Sequence, residues 1–453
     1  MLCDTLRFFA EGILFSRIVA RFEEYFEFRR LGTNWRTEIV AGFTTFITMS
    51  YIVLVNPAIL KDSGMPLPGV LLATCLSAAL ASLMMGFFAR YPIAMAPGMG
   101  LNAYFTYSVV KGMGVSWQVA LGAVFLSGVT FLLLTLVGVR QWIVEAIPKE
   151  LYAAVGAGIG LFIAFIGLRN AGIIVSNPAT FVSMGNLRDA NTALALFGIL
   201  VTAALQSYRV RAAILLGMLA TTAVGVAAGL VKWQPQVYSW GEMTSTIMQL
   251  DVRGAMGIGL LEIVFVFLFV DMFDNIGTLL GVGQKAKLMD ENGRLPRINR
   301  ILVTDACATI GGSMLGTTTV VSYIESAAGV AAGGRSGVVS VVCGLLFIVA
   351  LFVTPLIGAL PAAATAPALL VVGAMMMTAL SGIDWEDTVV AVPAFLTLLA
   401  IPLTFSIANG LAFGIIAHVV LKVAVGQGRE VAPTAYVLAV LLLARFLYLG
   451  GAV

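Results

Sequence analysis

A chain that enters lipid has few backbone options. Every N–H and C=O must find its partner inside the protein, so it crosses as helices or as a closed barrel. Residues 38–60, 68–88, 93–111, 117–139, 150–169, 190–207, 211–231, 255–283, 301–315, 319–333, 337–354, 362–380, 389–407 and 409–425 are apolar stretches, most of them near the length that spans a bilayer, about 20 residues as helix. Only 11% of the 453 residues are charged and 60% are hydrophobic, where soluble domains carry about 25% charge. These fourteen stretches predict an all-α polytopic membrane protein. An apolar tail at 433–449, with Arg445 inside it, predicts one more helix.

Basic residues then orient the chain. With residues 1–36 on the cytoplasmic side, alternation places Arg90, Arg140, Arg209, Arg211, Arg335, Lys422, Arg429 and the basic loop 284–300 on that side too. The connections 170–189 and 232–254 fall outside and carry few bases. Residues 3–28 alternate apolar and charged side chains at helical spacing, which suits a helix lying on the membrane surface or packed on a loop. No cleavable leader is expected, since residues 1–35 lack a clean apolar core. Cys3, Cys75, Cys307 and Cys343 are scattered, with no CxxC, and His418 is the single histidine. Free thiols are expected, with no metal site and no cofactor.

Two of the fourteen stretches are interrupted. In 93–111, Pro97, Gly98 and Gly100 oppose a continuous helix, so extended backbone up to Pro97 and a half-helix after it are expected. In 316–334, three threonines and two valines favour an extended start, followed by Glu325 and an Ala/Gly run. Broken backbone at that depth is tolerated only where it lines a cavity or is buried in protein. Paired interruptions in two halves point to a midplane binding site. Seven stretches precede the eighth, so the second half starts from the opposite side. Weak echoes between the halves fit that inversion, among them Glu38-Ile39-Val40 with Glu262-Ile263-Val264.

The carboxylates follow. Asp271 and Asp274, three apart in the eighth stretch, face similar directions on a helix. Both are expensive in lipid and should look inward, one toward the cavity and the other fixed by backbone or hydroxyl donors. Asp305 reads as structural. Glu325, at the break of the tenth stretch, is the leading ligand-binding candidate. Half-helix N-termini near Gly98, Met99 and Ser326 offer free N–H groups. Phe46, Phe273 and Tyr323 offer aromatic walls. The N–H groups suit electron-rich heteroatoms and anions, and a carboxylate accepts two N–H groups side by side.

Three runs together carry a family resemblance: Phe269-Val270-Asp271-Met272-Phe273-Asp274-Asn275-Ile276-Gly277-Thr278-Leu279, the threonine run 317–319 with Ser322-Tyr323-Ile324-Glu325-Ser326-Ala327-Ala328-Gly329-Val330, and Gly42-Phe43-Thr44-Thr45-Phe46 through Tyr51. Over residues 30–430 the chain resembles the nucleobase/ascorbate transporter superfamily, and within it the AzgA-like adenine/guanine/hypoxanthine permeases. The resemblance implies fourteen spans as a 7+7 inverted repeat, with half-helices in the third and tenth. It implies a core domain of segments 36–145 and 251–358, moving against a gate of segments 146–250 and 359–430. The N-terminal segment 1–35 and a C-terminal helix at 431–453 flank them. It further implies a transporter rather than an enzyme, proton-coupled purine symport across the cytoplasmic membrane, and a homodimer.

By the same resemblance Asp274 and Glu325 contact the base, and Thr278 stands where the pyrimidine branch carries histidine. Substrate-binding residues are then Glu325, Asp274, Thr278, Phe46, Thr45, Gly98, Met99, Phe273, Tyr323, Ile324 and Ser326. Asp274, Glu325 and Asp271 are the candidates for proton coupling. Asn275 departs from the threonine more usual in that branch. The competing readings are a xanthine, uric acid or pyrimidine carrier, an anion transporter of similar fold, and an intramembrane aspartyl enzyme. Two acids in one site disfavour the anion reading, and the absence of a GxGD motif disfavours the enzyme.

Overall fold

The computed structural model describes residues 17, 19–138, 149–232, 237–257, 261–286, 288–289, 295–352 and 361–448. The expectations for residues 1–16, 139–148 and 449–453 lie outside the described residues. Helices dominate. Residues Trp35–Lys61 form a first span broken by a turn at Ser50 and Tyr51 into α1 (Trp35–Met49) and α2 (Ile52–Lys61). There follow α3 (Leu67–Met84), α4 (Met99–Ala103), α5 (Trp117–Val137), α6 (Lys149–Asn170), α7 (Ala190–Ser207) and α8 (Ala213–Ala227). The second half contributes α9 (Leu261–Lys285), α10 (Ile298–Leu315), α11 (Ser326–Ala331), α12 (Val338–Leu351), α13 (Ala362–Met376), α14 (Thr388–Thr404), α15 (Ile407–Ala424) and α16 (Pro433–Tyr448). Among the described residues seven helices are long and apolar enough to cross a membrane, and α8, α12, α14 and α16 are shorter apolar ones. The chain is a multi-pass integral membrane protein.

Local sequence explains where these helices begin and end. The side chains of Asn34, Ser116, Asp189 and Ser406 each accept a backbone N–H from the first turn that follows, which satisfies donors no helix can pair internally. Gly316 ends α10 at φ 103°, a conformation that an L side chain resists. The chain can therefore turn sharply from α10 into the extended run behind it.

That run is strand β4 (Val320–Ser322). It pairs antiparallel with β1 (Met95–Pro97), with Met95 opposite Ser322 and Pro97 opposite Val320. Both interruptions expected from the sequence are thus present, each an extended stretch followed by a short helix. After α4 the chain continues as a π-helix, Tyr104–Gly112, and a second π-turn, Met85–Ala89, closes α3. A separate hairpin joins β2 (Ile174–Asn177) to β3 (Phe181–Met184) in the connection after α6.

Around the strand pair, α3 packs on α12, β1 and α2, while α5 packs on α10 and α9. A second body of contacts joins α6 to α13 and α14, α14 to α15, and α7 to α8 and α13. One apolar cluster runs through most of the molecule, from Met49 and Tyr51 to Leu411 and Ile415.

The described part of the N-terminal segment is docked rather than free. Phe26 and Phe28 are buried with Val338 and pack against Trp35.

Candidate functional site

The strand pair is fixed from several sides. Gly98 N–H donates to Thr319 O at 2.9 Å and Tyr323 N–H to Ala94 O at 3.0 Å, extending the ladder beyond its three residue pairs. Tyr323 Oη donates to Pro97 O at 2.6 Å. Ser326 Oγ accepts Ala94 N–H at 3.0 Å, and Ser82 Oγ exchanges hydrogen bonds with Met95. From α9, Asn275 Oδ1 accepts Ser322 N–H at 2.9 Å, and from α10 Thr309 Oγ1 accepts Val320 N–H at 3.2 Å. Buried backbone groups need partners inside the protein, and these supply them.

Below the strands lies a buried amide and hydroxyl network. Asn102 donates to Asn56 Oδ1 at 2.5 Å and accepts from Thr318, while Asn56 donates to Thr74 and Thr317. It ties the first span, α4 and the start of the tenth segment into one unit.

Glu325 sits at the entry to α11. Tyr51, itself 1% exposed, donates its Oη to Glu325 Oε1 at 2.5 Å. Glu325 is half-buried and Ile324 is 52% exposed, between the buried Tyr323 and Ser326. The polypeptide therefore turns one carboxylate and one apolar side chain out of the packed interior at the point where the helix breaks.

The other expected residues divide. Gly98 and Met99 open α4, with Gly98 against Val321. Phe46 lies half-buried on α1, edge-on to Phe347 with centroids 5.2 Å apart. Thr45 is wholly buried, and α11 approaches it so closely that a β carbon on Gly329 would lie 2.0 Å from Thr45 Oγ1. Thr278 is buried on α9. Asp271 is 1% exposed and receives Thr309 Oγ1 at 3.3 Å and Asn275 Nδ2 at 3.4 Å. It thus holds the two residues that themselves hold β4. The side chains of Phe273 and Asp274 lie outside the described residues. Asp305 is buried in α10.

Sequence reasoning passed over Tyr51, Asn56, Asn102 and Glu38. Glu38 is wholly buried and accepts Thr33 Oγ1, Arg335 N–H, and both N–H and Oγ of Ser336. It thereby anchors the chain that enters α12. The available signal was a carboxylate and amides set in apolar stretches, where each such group demands a partner.

Solved structures of low sequence identity share this fold. The transmembrane domain of the cyanobacterial bicarbonate transporter BicA superposes with a TM-score of 0.62 at 15% identity, covering 84% of this chain and 98% of that one. SLC26A9 superposes with a TM-score of 0.61 at 13% identity, covering 90% and 70%. These likenesses define the fold, that of a transporter's membrane domain.

The permease family model Xan_ur_permease matches residues 36–413, and the chain belongs to that family. It is a permease rather than an enzyme. A Methanocaldococcus jannaschii protein named as a permease is 53% identical, covering 95% of this chain and 99% of its own. The guanine/hypoxanthine permease PbuG of Bacillus subtilis is 46% identical over 94% and 99%. The adenine permease AdeP of Escherichia coli is 43% identical over 95% and 96%.

Proposed function

We propose that this permease carries purine nucleobases, of the adenine, guanine and hypoxanthine class, by proton symport. The observation that carries the reading is Glu325, a partly exposed carboxylate held by Tyr51 at the break of an interrupted span, in a chain 43–46% identical to permeases named for adenine and for guanine/hypoxanthine. A carboxylate accepts paired N–H groups of a base edge, and charged acceptors make the stronger hydrogen bonds. N–H groups opening α4 meet ring nitrogens or a carbonyl oxygen; those opening α11, expected from the sequence to be free, are already donated, Ser326 N–H to Tyr323 O and Ala327 N–H to Ile324 O. Phe46 supplies an apolar wall, and Asp274 joins Glu325 on the base or carries the proton.

In this reading the chain has fourteen spans in two inverted sevens, with a cytoplasmic N-terminus and the cytoplasmic membrane as its place. The core (36–145 and 251–358) moves as a unit against the gate (146–250 and 359–430), and two copies form a dimer. Coupling arises when substrate binds well only with one acid protonated, so that the two ligands share a free energy. Loading then neutralises the core before it crosses the apolar gate surface. Asp271, clasped by Thr309 and Asn275, braces β4 and stands beside Asp274 and Glu325 as a candidate for proton coupling.

The test is uptake of labelled adenine, guanine and hypoxanthine into cells lacking their own purine carriers, with and without a pH gradient. Glu325→Gln should reach the membrane, keep its folding and lose uptake. Undiminished transport by that variant would remove Glu325 from the site.

A further inference from the structure

A second charged site lies away from the strand pair, where several spans begin or end. Arg30, Arg90, Arg297 and Arg335 line one cavity of about 360 Å³, with Tyr91 in its wall. Glu27 is the acid set among them. Its Oε1 accepts Arg297 at 2.9 Å and Arg90 at 3.5 Å, and Oε2 pairs with Arg30. Among the described residues, four guanidinium groups face the Glu27 carboxylate, with the Glu38 carboxylate accepting the Arg335 backbone N–H beside them. The side chains of Glu27, Arg90 and Arg297 are 23%, 27% and 25% exposed, so water screens them only in part.

Three features argue for more than a surface ion cluster. Glu27, Arg90 and Arg297 all adopt left-handed backbone, at φ 59°, 60° and 60°, which costs energy in a residue with a side chain and tends to persist where function needs it. The Nε–H of Arg90 is buried with no hydrogen-bond partner among the described residues. Buried donors are rarely left so. Arg335 is held in place, its Nη1 donating to Val330 O and Gly334 O at 2.8 Å each. A guanidinium has five donors in a rigid fork; Glu27, Val330 O, Gly334 O and Tyr25 O take only part of what the four arginines offer.

We propose that this cavity binds a phosphate-bearing anion. The fork of an arginine matches the oxygens of a phosphate group, and clustered arginines recognise such groups by paired charge-assisted hydrogen bonds. The phosphate can come from an anionic lipid headgroup or from a small soluble phosphate. The ligand bridges the N-terminal segment, which contributes Glu27 and Arg30, to the starts of α10 and α12 and the end of α3. The proposal stands independently of the nucleobase reading.

The full chain is placed in nanodiscs of neutral phosphatidylcholine, and thermal unfolding is followed while inorganic phosphate or pyrophosphate is added at constant ionic strength. A parallel set of discs contains phosphatidylglycerol. An upward shift in the first arm identifies a soluble phosphate, and in the second a lipid headgroup. Arg297→Gln should weaken the responding ligand about tenfold, the value of one hydrogen bond to a charged group. Should that variant fold poorly, the more exposed Arg30→Gln replaces it. Glu27→Gln removes the competing carboxylate and should tighten the ligand. No shift in either arm overturns the proposal. So does a Glu27→Gln variant that loses stability with no gain in anion affinity, since a plain ionic clamp behaves that way.

Discussion

At the scale of single residues, the pairing of Tyr51 with Glu325 decides most. The hydroxyl that reaches the carboxylate comes from 274 positions earlier in the chain, and it fixes which way the acid points. Tyr51→Phe should leave the fold intact, because the ring keeps its packing. A lost hydrogen bond to a charged group is worth about 1.5–3 kcal/mol. Initial uptake rates should show nucleobase KM raised about tenfold or more, with protein abundance in the membrane unchanged. Glu325 was legible in the sequence, as a carboxylate inside a broken apolar stretch; its partner was not. Nothing local to Tyr51 marks it, apart from its place at the end of the run 42–51. Glu38 escaped for the same reason, since its partners Arg335 and Ser336 lie nearly 300 residues on. Asn275, which departs from the usual threonine, reaches Ser322 N–H across to β4, a contact that the α9 sequence alone does not announce.

At the scale of elements, the two interruptions were readable because their cause is local. Pro97 with its glycines, and the threonine and valine run before Glu325, each oppose helix within their own few residues. That the two strands pair with each other, and in which register, depends on contacts made after the chain folds. Helix α11 lies against α1 through Gly329, and a methyl group there would meet Thr45 Oγ1 at 2.0 Å and Ala41 O at 2.7 Å. One obstacle is backbone and cannot swing away. Gly329→Ala should therefore push α11 off α1, displacing Glu325 without touching it. We expect uptake to fall at least tenfold and the unfolding midpoint to drop by several degrees, in line with overpacking costs of about 1–3 kcal/mol. Unchanged uptake would mean that the seat of α11 is not what positions the acid.

At the scale of the whole molecule, alternating access in the proposed reading requires the core and gate segments to slide. One apolar cluster crosses both sets of segments, and among the described residues polar contacts join them as well. Ser108 donates to Phe405 O, Arg211 Nη1 to Thr44 Oγ1 at 3.1 Å, and Asn170 Nδ2 to Tyr107 Oη at 3.4 Å, with Tyr107 passing its own proton donor to Asp62 at 2.7 Å. A cavity of about 170 Å³ opens beside that last chain, between Leu54, Leu71, Thr365 and Leu369. Cysteines placed at 108 and 405, in a background cleared of the native thiols, can be joined by a short cleavable reagent. The joined protein should take up no substrate, and cleavage should restore it. Transport through an intact bridge would show that these two segments travel together. The division into moving parts was suggested by family resemblance and by paired interruptions, and composition carried none of it, since every helix is apolar alike.

The ladder between residues 95–97 and 320–322 has a consequence for biogenesis. Its two sides leave the ribosome more than two hundred residues apart. Until the later side is made, the earlier one has Ser82 to hold Met95 but no ladder partner, and lipid offers none. The third segment must then wait at the translocon or at the water interface, half-inserted, and final entry of both segments becomes a single late event.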